Sequence, residues 1–200
     1  MHSFEVNIMR GTTQRLMAEH EEINSVLNTL FRAIRLERSG TFLGARFWRD
    51  AIDFIRGFSD EFHHAKEENI LFPVYCENGM QDDYGPVAVM LKDHENFRSF
   101  LKIIEESLSQ GEEDNIKRWQ ATGNFIEGLR FHIHKENNIL YPMGEEILSR
   151  EDEDCLMQMF DLVEETLGGS STVEHYRKLA QSLEERVVQA FDGALQTEAN

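Results

Sequence analysis

Apolar residues recur every three or four positions over most of this 200-residue chain, which is the spacing that places them on one face of a helix. Four such runs are long enough for the helices of a bundle: residues 12–37, a second that carries Ile52, Ile55, Ile70 and Val74 and ends at Asn78-Gly79, a third from Pro86 to about Gly111, and a fourth that carries Phe125, Leu129, Ile139 and Met143 and ends at about Leu148. No run shows the period of two that a strand requires. The pattern therefore predicts an all-α protein.

The loops between the four runs are short, so consecutive helices are expected to be antiparallel neighbours. This predicts an up-down-up-down four-helix bundle over residues 1–150. Two shorter helical patterns follow, at residues 151–167 and 173–191, with a Gly-Gly-Ser-Ser segment between them. We expect these two helices to form a C-terminal extension, residues 151–200, that packs on the bundle.

The net charge of the chain argues against two classes of binding partner. It has 20 basic and 37 acidic residues and a formal net charge of −17, so its surface should repel the phosphates of nucleic acids and of anionic membranes. No apolar run reaches the length of a signal peptide or a membrane span, which predicts a cytoplasmic protein. Cys76 and Cys155 lack the spacing of a thiolate metal site and are interpreted as ordinary thiols.

The chain contains an internal repeat. Residues 62–73 read FHHAKEENILFP and residues 131–142 read FHIHKENNILYP, which match at eight of twelve positions without a gap. Upstream, the sequence Glu-His-Glu around His20 corresponds to Asp-His-Glu around His94. Each half of the bundle is thus predicted to be a helical hairpin with one histidine on its first helix and His-x-x-x-Glu on its second.

Six polar residues occupy positions where the pattern calls for core residues: His20, His63, Glu67, His94, His132 and Glu136. A His-x-x-x-Glu pair places both side chains on the same helix face, about one turn apart. Burying an unpaired carboxylate or imidazole costs several kcal/mol. Six of them together would exceed the net stability of a domain, roughly 5–15 kcal/mol, unless a shared partner satisfied them.

The axial positions of the four histidines support one shared site. The midpoints between successive histidines fall near residues 41, 78 and 113, and each midpoint is a predicted turn. Residues at equal distances from the turn between antiparallel helices lie at the same level, so the histidines should meet in one layer. Four imidazoles and two carboxylates that could bridge predict a two-metal site. These groups suit iron, manganese or zinc better than calcium or magnesium, and ligand type alone leaves those three open.

This order of histidine, HxxxE, histidine and HxxxE on four successive helices resembles the hemerythrin-like, HHE cation-binding family. The resemblance covers residues 12–148 and is most specific at the Lys-Glu to Pro segments, residues 66–73 and 135–142. Residues 160–183 are also similar to an extension of prokaryotic members. The family implies two non-heme iron ions, carboxylate- and oxo/hydroxo-bridged, that meet O2, NO or peroxide, as in oxygen carriers, iron or oxygen sensors and iron-centre repair proteins.

The chain departs from the oxygen carriers of that family. They have a second histidine one turn after that of the third helix, where this chain has Arg98, and an aspartate on the fourth helix at the position of Asn137, which Glu136 replaces. The missing histidine argues against simple reversible O2 carriage. The position of His64 is a ligand in some family members, so His64 is a candidate fifth imidazole, and the alternative is a place beside the ligands. His2, His134 and His175 are expected at the surface.

Three functions remain open from the sequence. The first is a non-enzymatic protein that binds or senses O2 or NO. The second is a di-iron redox enzyme that removes peroxide or reduces NO, because an open position on a reducible metal admits a substrate. The third is an iron store or donor. The sequence does not identify a protein partner.

Overall fold

The computed structural model of the protein describes residues 11–109 and 112–198. Its six helices are α1 (Gly11–Arg38), α2 (residues 44–77), α3 (Pro86–Glu106, followed by a 3₁₀ turn at Ser107–Ser109), α4 (residues 112–147), α5 (Arg150–Thr166) and α6 (Ser170–Glu198). Within these described ranges no strand occurs, which confirms the all-α prediction. His2 and the helix end expected near Gly111 lie outside the described residues.

The turns of the bundle use glycine where the backbone must take a positive φ. Gly40 follows α1 with φ 101°, and Gly79 follows α2 with φ 108°. Residues with a Cβ rarely adopt this conformation, whereas glycine does so without steric cost. Helices α1 and α2 therefore end close to the positions that the Ser39-Gly40 and Asn78-Gly79 pairs predict.

Helices α2 and α4 are interrupted by π-helical segments at the HxxxE motifs. In α2 they span Ile55–His64 and Glu67–Leu71, and in α4 the segment Glu136–Leu140 occupies the position equivalent to the second of these. A π segment adds a residue to the turn, so it shifts every later side chain around the helix, and such segments are frequent at functional sites.

The shift corrects the predicted core stripe of α4. Ile139 and Met143 are 49% and 41% exposed, so their assignment to the core is wrong. Leu140 and Tyr141 are buried in their place. The regular 3.6-residue period fails here because the π segment begins at Glu136, directly before these residues.

The bundle core consists of two apolar clusters that lie on either side of a polar layer. One includes Leu27, Phe54 and Phe125, and the other includes Leu16 and Tyr75. In each of the first four helices, the histidine or HxxxE motif stands between residues of the two clusters. This arrangement holds the polar layer at one level and keeps it away from the ends of the bundle.

The last two helices cover one side of the bundle. Helix α6 packs along α1 and α2, and α5 packs against α1 and the π segment Glu67–Leu71. A capping box begins α5, in which Ser149 Oγ accepts from the Asp152 backbone N–H at 3.1 Å and the Asp152 carboxylate accepts from the Ser149 backbone N–H at 2.9 Å. Among the described residues, every helix is too short or too polar to cross a bilayer.

Candidate metal centre

Five imidazoles and two carboxylates meet in the polar layer, and each of these seven side chains is at most 2% exposed. Their metal-binding atoms form two groups, His64 with Glu67, His94 and His132, and His20 with His63, Glu67 and Glu136. Within each group the atoms lie within 4.8 Å of one another, and Glu67 belongs to both groups. We call the first group the three-imidazole half and the second the two-imidazole half of the centre.

The ring distances show that the four helices meet at one level. The ring centroids of His20 and His63 are 4.6 Å apart, and those of His94 and His132 are 4.7 Å apart. His64 stacks on His94 at 3.9 Å. The predicted convergence in one layer is confirmed, and the role of these residues as metal ligands stays a prediction. His64 lies within the layer, where its ring faces the same space as the other four.

Most atoms that face the middle of the layer lack hydrogen-bond partners among the described residues, whereas Nε2 of His94 and Nε2 of His132 lie 3.1 Å from each other. Those without a partner include the Nε2 atoms of His20, His63 and His64 and Oε2 of Glu67. Both oxygens of Glu136 face imidazole nitrogens without a well-formed hydrogen bond. Leaving so many buried polar atoms unsatisfied is costly. Metal ions would satisfy all of them, since imidazole nitrogen with carboxylate oxygen is a donor set for transition metals, and the residues therefore fit a metal pair.

The other ring nitrogen of each histidine donates outwards. His63 Nδ1 donates to Glu19 at 2.8 Å, and His132 Nδ1 donates to Asp93 at 3.3 Å. These two acceptors are the residues that precede His20 and His94, so the repeat extends to the atoms that support the histidines. With Nδ1 carrying the proton, each Nε2 keeps its lone pair directed at the middle of the layer, as metal-binding histidines require.

The histidines of α1 and α3 are each supported by a residue of the opposite hairpin of the repeat. His94 Nδ1 donates to Glu68 at 2.7 Å, and His20 Nδ1 donates to Asn137 at 2.8 Å. Glu68 and Asn137 are equivalent residues, each directly after the glutamate of its HxxxE motif. Glu68 is thus a hydrogen-bond acceptor beside the layer. At this equivalent position a carboxylate supports His94 of the three-imidazole half, and an amide supports His20 of the two-imidazole half.

Arg98 joins two of the outer carboxylates. Its Nε donates to both oxygens of Asp60, at 2.9 and 3.0 Å, and its Nη2 donates to Glu68 at 2.7 Å. Asp60 lies 3.4 Å from Nδ1 of His64. Burial opposes ionisation of Asp60, but His64 and Arg98 outweigh it and lower the pKa of that carboxyl. Arg98, at the position of a histidine in the oxygen carriers, therefore supports the imidazoles from outside the layer.

Two equivalent lysines contact the outer carboxylates but differ in environment. Lys66 is completely buried, pairs with Glu19, and donates to Glu164 of α5 at 2.8 Å. Lys135 donates to Asp93 at 2.5 Å, and its side chain is 17% exposed. Helix α5 thus reaches the support of His63 through one buried lysine.

The pKa values of the two glutamates of the layer are shifted in opposite directions. Burial and the neighbouring Glu136 raise the pKa of Glu67 well above its usual value. Burial also opposes ionisation of Glu136, but His132 and His20 outweigh it and hold its pKa well below the usual value. Metal binding requires both carboxylates without protons, so protons compete with metal at Glu67 more strongly than at Glu136.

The pKa values of the histidines also differ in direction of shift. Burial lowers the pKa of His63 and of His64 well below the ordinary value, and the adjacent imidazoles of His20 and His94 add to the effect. For His132, burial acts in the same direction, but Glu136 and Asp93 outweigh it and raise its pKa. His63 and His64 are therefore neutral at pH 7, the form that binds metal.

Several residues of the site were not identified from the sequence as functional. They are the outer acceptors and their cations: Glu19, Asp60, Asp93, Arg98, Lys66 and Lys135. The repeat itself contained a signal for most of them, because an acidic residue precedes both first histidines and a lysine precedes both glutamates. His134 and His175 are exposed as expected.

Family comparison agrees with this geometry. The hemerythrin HHE cation-binding domain matches residues 11–144, which contain all seven residues of the layer. The chain belongs to the hemerythrin HHE family. No solved structure shows significant similarity to it.

Curated relatives of this hemerythrin-family chain are bacterial proteins named iron-sulfur cluster repair protein YtfE. The one from Musicola paradisiaca (strain Ech703) is 34% identical over 87 residues, which is 40% of this chain and 39% of the relative. Those from Enterobacter sp. (strain 638) and Escherichia coli O81 (strain ED1a) are each 33% identical over 86 residues, with the same shares. The match therefore spans only 39% of the length of these relatives.

Proposed function

We propose that this chain is a non-heme di-iron protein that binds or senses O2 or NO, or handles iron. The observation that carries the proposal is the opposite orientation of the two ring nitrogens. In all five histidines of the layer, Nδ1 faces an outer oxygen acceptor and Nε2 faces the middle of the layer. This orientation favours metal coordination over a structural hydrogen-bond network, which would use both nitrogens.

The proposed metal-binding residues are those of the two halves. The first position would be held by His64, His94 and His132 and the second by His20 and His63. Glu67 and Glu136 would serve both positions. Glu136 supports this role because its Oε1 lies 3.1 Å from Nε2 of His132 and its Oε2 lies 3.2 Å from Nε2 of His20.

When bound, an iron pair supplies one-electron redox chemistry and a coordination position for a small ligand. The protein orients the imidazoles through their outer acceptors and excludes water by burial of the layer. Cations next to Glu19, Asp60, Glu68 and Asp93 compensate the charge of these acceptors. Because all seven side chains of the layer are buried, the site admits a small ligand and excludes a large substrate.

Metal analysis of the protein purified from iron-replete cells tests this function directly. We expect two iron ions per chain and a visible spectrum that changes on addition of NO or O2. Zinc or manganese at the same stoichiometry would contradict the choice of iron and leave the two-metal site standing. A tightly bound iron pair whose spectrum is unaffected by either gas would contradict gas binding.

Iron donation is the second candidate, and the name of the relatives favours it. Iron-sulfur cluster repair needs iron that can leave its site, and the two-imidazole half, with fewer imidazoles and an amide behind His20, is the weaker one. We expect iron to pass from the loaded protein to an apo-acceptor that assembles a cluster. Retention of both ions through prolonged chelation would contradict this function.

We also propose that residues 1–150 form the metal-binding bundle and residues 151–200 a separate extension that modulates it. The contact of Glu164 with Lys66 supports this division, because it connects α5 to the support of His63. We propose further that the protein acts free of nucleic acid and membranes, on a small ligand of the metal pair.

A further inference from the structure

The two glutamates of the layer differ in the number of oxygens that they leave for metal. Oε1 of Glu67 accepts a hydrogen bond from the Tyr141 hydroxyl at 2.6 Å, and Oε2 has no partner. Neither oxygen of Glu136 has a partner outside the layer. Glu67 therefore presents one free oxygen to the layer and Glu136 presents two.

The phenol that causes this difference is held in place on two sides. Tyr141 is completely buried, and its ring stacks on His20 with 5.9 Å between centroids and an angle of 5°. The free Oε2 of Glu67 lies 3.7 Å from Nε2 of His63 and 3.6 Å from Nε2 of His94, between the two halves. The hydrogen bond thus fixes which oxygen of Glu67 faces both metal positions.

The repeat supplies an internal comparison. Phe72 is the residue equivalent to Tyr141, and it stacks on His94, the equivalent of His20, with 6.1 Å between centroids and an angle of 22°. The two rings occupy matching places, and only one of them carries a hydroxyl. Packing on a histidine therefore accounts for the aromatic ring in both hairpins, but it does not account for the hydroxyl of Tyr141.

We propose that Tyr141 is a positioning residue that restricts Glu67 to a single metal-facing oxygen and thereby leaves a coordination position for a small exogenous ligand. This inference rests on the proposed function, because it takes the layer to be a metal centre. An oxygen of Glu67 that served both ions would fill one position on each, and a second oxygen would fill a further position by chelating one of them, which the hydrogen bond from Tyr141 prevents. Hydrogen bonds from outer residues to metal-binding groups are known to set their affinity and orientation.

The test compares Tyr141→Phe, Phe72→Tyr and the double exchange Phe72→Tyr/Tyr141→Phe with the wild type. Each change keeps the aromatic ring and moves only a hydroxyl, so the fold should survive. Azide, a small anionic probe, is titrated into the iron-loaded protein and followed by its visible spectrum. The release of zinc from the zinc-loaded protein to a chelator is a second readout that involves no redox chemistry.

For Tyr141→Phe we expect azide to bind about tenfold more weakly and zinc to leave about tenfold more slowly, because Glu67 regains its second oxygen. By the symmetry of the repeat, the hydroxyl added in Phe72→Tyr is expected to face Glu136 as that of Tyr141 faces Glu67, and it should then accelerate the release of zinc. The double exchange should return azide affinity towards the wild-type value.

Azide affinity within twofold of wild type, or zinc release that is unchanged or faster, in Tyr141→Phe would overturn the inference, even with a lowered melting temperature. If Tyr141→Phe cannot be isolated, unchanged zinc release in Phe72→Tyr overturns it equally. Failure of the wild type to bind two metal ions would instead refute the proposed function, and the two failures are thus distinguishable.

Discussion

The two hairpins of the duplicated chain place equivalent residues at the candidate centre but surround them differently. In the first hairpin, Lys66 is buried under α5, and its neighbour Phe62 is 1% exposed. In the second, Lys135 borders solvent and the equivalent Phe131 is 63% exposed. The repeat therefore preserves the residues of the polar layer, whereas the C-terminal helices cover only one copy.

A second difference lies within the layer. His64 adds a third imidazole to one half, whereas its equivalent, Ile133, adds none to the other. Glu68 supports His94 with a carboxylate, and the equivalent Asn137 supports His20 with an amide. These departures make the two groups of candidate ligands unequal in charge and in donor number.

The largest effect is expected from the residue that both halves share. Glu67→Ala should abolish binding of both metal ions and remove the stabilisation that they provide, about 4 kcal/mol for a ligand present at roughly a thousand times its dissociation constant. Elemental analysis and chemical denaturation with and without chelator measure both quantities. His134→Ala, which changes an exposed histidine outside the layer, is the control. Full metal content in Glu67→Ala would show that Glu67 is not a shared ligand.

Replacement of the buried Lys66 should destabilise the protein more than replacement of the partly exposed Lys135. Lys66→Met leaves Glu19 and Glu164 without their buried cation, so we expect the free energy of unfolding to fall by about 3 kcal/mol. Lys135→Met breaks a partly exposed pair and should cost at most about 1 kcal/mol. Equal losses in the two variants, measured by urea denaturation, would mean that coverage by α5 has no energetic consequence.

Staged metal removal compares the two halves of the centre directly. We expect a chelator to remove one ion faster than the other by about tenfold, with the two-imidazole half emptied first, because outer-shell and donor changes alter metal affinity by about that factor. His64→Leu removes the extra imidazole and should bring the two rates together. A single release rate in the wild type would contradict the inequality of the halves.

A change of pH should alter metal affinity gradually and should not abolish binding at once. Because the pKa of Glu67 is raised, its proton is bound in the metal-free protein as the pH falls through that pKa, and metal must displace it. Metal affinity should therefore decrease on acidification by about tenfold per pH unit for each proton displaced. The pKa of Glu136 is held low, so this residue stays ionised and contributes nothing to the slope.

The matched variants Glu67→Gln and Glu136→Gln test the assignment of that slope. Both will weaken binding, but Glu67→Gln should flatten its dependence on pH more than Glu136→Gln, which acts on the slope only through the pKa of His132. The affinity is measured by competition with a chelator of known pH dependence. A flattened slope in Glu136→Gln and an unchanged one in Glu67→Gln would reverse the assignment.

Much of the fold was predictable from residue pattern. The two residues wrongly assigned to the core, Ile139 and Met143, have one common cause. The ends of α1 and α2 follow from Gly40 and Gly79, whose positive φ the turns require. The core stripe of α4 was wrong at Ile139 because the π segment that begins at Glu136 shifts the register. Such a segment requires compensation from neighbouring helices, which a local period does not reveal.

The all-α class, the duplication and the convergence of the histidines follow from residue pattern, because helical period and equal distance from turns are local properties that antiparallel packing converts into one layer. The groups that support that layer follow from tertiary packing instead. The pairing of His20 with Asn137, of Lys66 with Glu164 and of Tyr141 with Glu67 joins residues 117, 98 and 74 positions apart. Such contacts depend on how helices are rotated and stacked against one another, and no local spacing encodes that rotation.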